Sequence, residues 1–165
     1  MFRKTVLLVI SVSLLTAVAL PLTMGIGHAQ SKCKPVKGHI VSELLTGPEC
    51  TSPVGLCTSG RFIGGINGDF VFIATSLTPH QDTQVTDVVH YTGDITISTR
   101  HGDIFDKDAG AFNPVPGSTG DVGAVSTITG GTGRYAGASG RIRIAGTFTP
   151  EEGGNSDYQG ELCTQ

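Results

Sequence analysis

Between residues 30 and 165, no window of 11 residues places apolar side chains at i, i+3, i+4 and i+7 without Gly or Pro among them. An amphipathic helix needs that spacing, so this part of the chain has to fold without one. It offers period-two alternation cut by tight bends instead. Lys37–Leu45 alternates weakly, and Arg61–Leu77 is a long extended run interrupted by Gly64-Gly65 and Asn67-Gly68. Asn-Gly between apolar segments is a strong hairpin signal and folds Arg61–Ile66 back onto Asp69–Leu77. Phe70–Ala74 is apolar at every position, which predicts a strand covered on both faces. Val85–Thr92 and Asp94–Arg100 read as two strands parted by Gly93. In the second, Ile95 and Ile97 oppose Asp94, Thr96, Ser98 and Arg100. Asp121–Thr129, Ser139–Thr149 and Asp157–Cys163 complete the set. In Ser139–Thr149, Ile142, Ile144 and Phe148 share one face, and Arg141, Arg143, Ala145 and Thr147 the other.

Seven or eight short strands with frequent turn signals define a sandwich or a barrel. Consecutive hairpins, and a covalent tie between the chain ends argued below, favour the closed form, which leaves no exposed edge. The predicted fold is all-β, a closed antiparallel eight-stranded β-barrel forming a single domain over residues 30–165. Such a barrel has room inside for its own side chains or one small ligand.

Composition agrees. Glycine supplies 22 of these 136 residues, about 16% against a usual ~7%, as a turn-rich chain requires. Leu, Ile, Val and Phe make up about 23%, above the ~20% below which disorder is expected. The basic residues of 1–29 are Arg3 and Lys4, so 9 Lys and Arg face 14 Asp and Glu in the remainder, a net charge of −5. That balance argues against a nucleic-acid partner, which calls for a basic patch.

The chain opens as an export signal would. Arg3 and Lys4 precede a nearly unbroken apolar run from Val6 to Leu22, and Gly27-His28-Ala29 puts small residues at the −3 and −1 positions of a cut after Ala29. Residues 1–29 are read as a signal peptide and Gln30 as the mature start, with no membrane span after cleavage. The alternative is an uncleaved anchor, because the run approaches the ~20 residues of a transmembrane helix. The polar Gln30-Ser31-Lys32 before Cys33 does not fit a lipid-attachment signal. The protein is expected to be secreted, in the periplasm or outside the cell.

Cys33, Cys50, Cys57 and Cys163 are an even set in an exported chain, which reads as two disulfides with three pairings open. The favoured one closes the Pro-rich loop with Cys50–Cys57 and ties the chain ends with Cys33–Cys163. Metal binding is not expected: no CxxC or HxxxH spacing occurs, and His39, His80, His90 and His101 are irregularly placed.

Gly131-Thr132-Gly133-Arg134-Tyr135-Ala136 fits the dinucleotide pattern GxGxxA, with Glu151 about 20 residues on. The pattern works through a helix opening at the glycines. Here a period-two strand follows, so the segment is read as a turn where backbone meets backbone, and no cofactor is expected. The same residues carry a family likeness. Thr127-Ile128-Thr129-Gly130-Gly131-Thr132-Gly133-Arg134-Tyr135-Ala136-Gly137-Ala138-Ser139-Gly140, with the strand Arg141–Phe148 after it, resembles the signature turn of the allene oxide cyclase/dirigent-like barrels over about 22 residues. The resemblance implies an eight-stranded antiparallel barrel with a central cavity, often a homodimer or homotrimer. Members cyclise a fatty-acid epoxide, steer phenoxy-radical coupling or close polyketide rings. Their catalytic positions do not map onto this chain.

Candidate working residues follow from the strand faces. Arg141 and Arg143 line the cavity if Ile142 and Ile144 face outward, where they could hold a carboxylate or enolate oxygen; otherwise they are solvated charges. Asp69, and Asp94 near His90 and Tyr91, are acid/base candidates if buried and turn residues if not. His90-Tyr91 is read as packing. Asp103, Asp106 and Asp108 with Gly110 approximate a calcium loop but miss its spacing and closing Glu, and read as a solvated acidic loop. No nucleophilic triad can be written.

Two functions fit: a barrel that binds a small apolar molecule without chemistry of its own, or a cofactor-independent isomerase or cyclase. The first needs an apolar lining. The second needs a buried ionisable pair, most plausibly Arg with Asp or Glu. The sequence assigns no such pair, which favours binding.

Overall fold

The computed structural model describes residues 32–82, 84, 87–115 and 120–165. The expected leader, its cut before Gln30, and Val85 and Thr86 of the expected strand Val85–Thr92 lie outside these. The chain forms eight strands: β1 (Lys32–Leu44), β2 (Cys57–Gly64), β3 (Gly68–Pro79), β4 (Val89–Thr99), β5 (Gly102–Phe112), β6 (Asp121–Gly131), β7 (Ser139–Thr149) and β8 (Gly153–Thr164). Each pairs antiparallel with the next, and β8 returns to β1, closing an antiparallel β-barrel.

Period-two patterning sorts the faces. Val36 and Ile40 of β1, Phe62 of β2, Phe70, Phe72 and Ala74 of β3, Ile95 and Ile97 of β4 and Ile142 of β7 are buried in one interior cluster. Lys37, Arg61, Lys107, Arg141 and Arg143 alternate with them on the outside. The expectation that Phe70–Ala74 is covered on both faces does not hold within one chain. Its outward members are Val71, 38% exposed, and Ile73, half-buried.

Two further expectations are corrected. Val85–Thr92 and Asp94–Arg100 are not separate strands: β4 runs unbroken through Gly93, which pairs with Ala74 and Asp108. Gly93 is there for space. A Cβ on it would sit 2.3 Å from a Phe72 ring carbon. The supposed acidic loop around Asp106 and Asp108 is strand β5, paired along its whole length with β4 and over most of it with β6. One strand fewer and one more leave the count at eight.

One end of the barrel is sealed. Ile66, in the β2–β3 hairpin, is buried under the Tyr158 ring; the Tyr158 hydroxyl accepts from its N–H at 2.7 Å and donates to its C=O at 3.0 Å. Phe62 packs on Tyr158 with ring centroids 5.2 Å apart. The glycine-rich turn lies at this end. Gly133, at φ +54°, starts a short 3-10 turn, and the Arg134 N–H reaches His101 O at 2.9 Å. Strand β7 follows rather than a helix, as the turn reading requires. Cys33 and Cys163 sit opposite each other on β1 and β8 and are bonded. Cys50–Cys57 closes the loop before β2 at the other end.

Candidate functional site

The half of the barrel away from the plug of Tyr158 and Ile66 holds a cavity of about 100 Å³. Phe62, Phe70, Phe72, Tyr91, Phe112 and Phe148 bring six aromatic rings to its wall, with Ile40, Ile95, Val122 and Ile144 between them. Tyr91 is the hub at the mouth, its ring centroid 5.5 Å from that of Phe72 and 6.0 Å from that of Phe112. The polar lining comprises Asp108, the Tyr91 hydroxyl and a few Ser and Thr hydroxyls.

Asp108 is one of two carboxylates that β5 turns inward. Asp106 and Asp108, two positions apart and therefore on one face, are 2% and 5% exposed. Ser126 Oγ donates to Asp106 Oδ2 at 3.1 Å from neighbouring β6. The Tyr91 hydroxyl, from β4, and the Ala109 N–H hydrogen-bond Asp108. Gly110 gives Tyr91 the room to do so, since a Cβ there would lie 2.7 Å from its hydroxyl. Oδ1 of each aspartate is buried without a hydrogen-bond partner.

Burial raises both carboxyls, because an apolar cavity penalises the charged form. Asp106 is pushed up to about 6, against the opposing Ser126 hydrogen bond. Asp108 goes to about 7: burial dominates, the Tyr91 hydrogen bond opposes it, and repulsion from Asp106 adds to it. Burial, then the charge of Asp108, pushes the Tyr91 hydroxyl upward, so it stays a donor. At neutral pH the pair can thus hold and release a proton inside the barrel.

The residues singled out from sequence lie elsewhere. Arg141 and Arg143 are exposed on the outer face of β7, because Ile142 and Ile144 take the interior. Asp69, 75% exposed at its side chain, pairs with Arg61 at 3.0 Å outside β2–β3. Asp94, 47% exposed, pairs with Lys107 at 2.6 Å across β4–β5. None of the four reaches the cavity, and the period-two rule that placed them also excludes them. His90 faces out, bonded to His80 at 2.9 Å, while Tyr91 packs inward. Among the described residues, the Cys, His and acidic donors clustered within metal-binding reach are Cys33, Glu161 and Cys163, whose sulfurs are joined as a disulfide.

The fold and cavity define a small closed eight-stranded antiparallel barrel with an acidic group set into an aromatic interior. Compared with known proteins, the chain matches no family model, no curated protein and no solved structure.

Proposed function

We propose that this barrel binds a small, largely apolar molecule in the half away from the plug. The aromatic wall of the cavity carries the reading: six rings facing one space leave apolar surface that a ligand can cover. Size limits the ligand. About 100 Å³ falls below the roughly 300–1,000 Å³ of drug-sized pockets, so a fatty-acid chain does not fit the cavity as it stands. The resemblance of Thr127–Phe148 to the allene oxide cyclase/dirigent-like turn supports the reading through the barrel it implies. Native mass spectrometry of protein secreted by its own host tests the proposal: a retained small molecule is expected. Apo mass alone, with no small apolar compound shifting the NMR signals of Ile95 and Ile144, would overturn it.

Acid–base catalysis, as in a cofactor-independent isomerase, is the second reading, favoured by Asp108 and Tyr91 lining the cavity with a carboxyl poised near neutrality. Under it, proton exchange at the α-carbon of a small ketone in D2O runs faster with the wild type than with Asp108→Asn. Equal rates would remove it.

The two disulfides are compatible with an extracytoplasmic protein. Export through residues 1–29 completes the proposal, and intact mass should place the secreted chain's start at Gln30. A chain still carrying residues 1–29 would refute cleavage.

A further inference from the structure

The two interior carboxyls have no cation beside them among the described residues. Among the described residues every Lys, Arg and His is exposed, and Lys107, adjacent to both aspartates in sequence, points out to Asp94. Asp106 and Asp108 can therefore be neutralised only by protons or by something that enters. An uncompensated buried carboxylate is costly, and a cation supplied by a ligand would remove much of that cost. The surroundings suit a positive group. Asp108 lines the cavity with Oδ1 unpartnered, and Phe72, Tyr91 and Phe112 line the same cavity, aromatic rings being groups that attract ammonium ions.

We infer that the ligand is a small apolar amine bound as its ammonium ion, the nitrogen donating to Asp108 and the hydrocarbon body lying among the rings. The inference rests on the cavity-binding reading and adds the chemical class. Asp108 supplies the counter-charge, Tyr91 hydrogen-bonds its carboxyl, and Asp106 deepens the negative potential from the next inward position of β5. A neutral alcohol of equal shape would fill the same space and leave the charge unmet.

Isobutylamine and isobutanol, titrated calorimetrically into the full secreted protein, separate these cases. At about pH 8 the amine should bind at least about tenfold more tightly than the alcohol, as hydrogen bonds to a charged group imply. The groups facing Asp108 are Asp106 on its own strand, Tyr91 from β4 and Ser126 from β6. Tyr91 keeps its proton across this range, so amine affinity should fall as pH drops toward 5 and the carboxyls protonate, while alcohol affinity stays level. Asp108→Asn should reduce the amine to the level of the alcohol, and the wild-type pH profile reads the same point should that variant not fold. Equal affinities at high pH, or an amine affinity indifferent to pH, would overturn the inference and leave cavity binding intact. Binding of neither compound would overturn the inference, and cavity binding would then stand or fall with the native mass spectrum.

Discussion

Asp108 and Asp106 destabilise the folded chain whenever they are charged. Their folded pKa values, about 7 and about 6, stand above the ~3.9 of an unfolded aspartate, so between those limits the native state binds more protons than the unfolded one. Stability must then fall as pH rises through that window, opposite to the usual carboxylate. Urea denaturation should give a higher midpoint at about pH 5 than at pH 8. Asp108→Asn should raise the unfolding free energy at pH 8 by about a kcal/mol or more and flatten the dependence. A midpoint lower at pH 5 would contradict the burial of the pair. These two residues were the least legible from sequence. In Ile104-Phe105-Asp106-Lys107-Asp108 the alternation is present, but the aspartates take the inside while Phe105 is exposed. Polarity, read as a sign of solvent, inverts the faces. Ile104 and the unbroken period of two were the available clues.

At the scale of strands and turns, glycines mislead as often as they guide. Asn67-Gly68 marked its hairpin and the Gly130–Gly133 segment its turn, because both sit where the chain reverses. Gly93 looked the same in sequence yet lies mid-strand, and its reason, the Phe72 ring, comes from another strand and has no local trace. Gly93→Ala should cost about 1–3 kcal/mol by overpacking, read as a shifted urea midpoint with unchanged slope. The sealing hairpin makes a second test. Tyr158→Phe strips the hydroxyl bonded to both the N–H and C=O of Ile66 and should cost about 1–3 kcal/mol, the penalty for leaving buried polar groups unpaired. A loss near zero would mean that water reaches that end.

Across the whole molecule, the β1–β8 seam joins segments that are far apart along the chain, and Cys33–Cys163 bridges 130 positions there. Chain entropy assigns about 5 kcal/mol to so long a loop and about 2.5 kcal/mol to the seven-residue separation of Cys50–Cys57. Replacing Cys33 and Cys163 together by Ser should therefore lower stability by more than replacing Cys50 and Cys57. Equal losses would show that loop-closure entropy of the unfolded chain does not set the difference between the two bridges. Closure was legible because hairpin order and paired cysteines at the two ends both demand it. On β7 the sequence separated the isoleucine face from the arginine face and left open which one turns inward; in the structure the isoleucines do, and Arg141 and Arg143 lie outside.

The plug formed by Tyr158 and Ile66 makes the barrel a blind tube. On the cavity-binding reading, a guest at the aromatic wall is blocked at that end and has to use the opposite one, where Phe112 and Phe148 line the cavity. If that end is the one passage, entry and exit cross the same barrier, so changes at the rim should slow or speed arrival and departure together and leave affinity nearly unchanged.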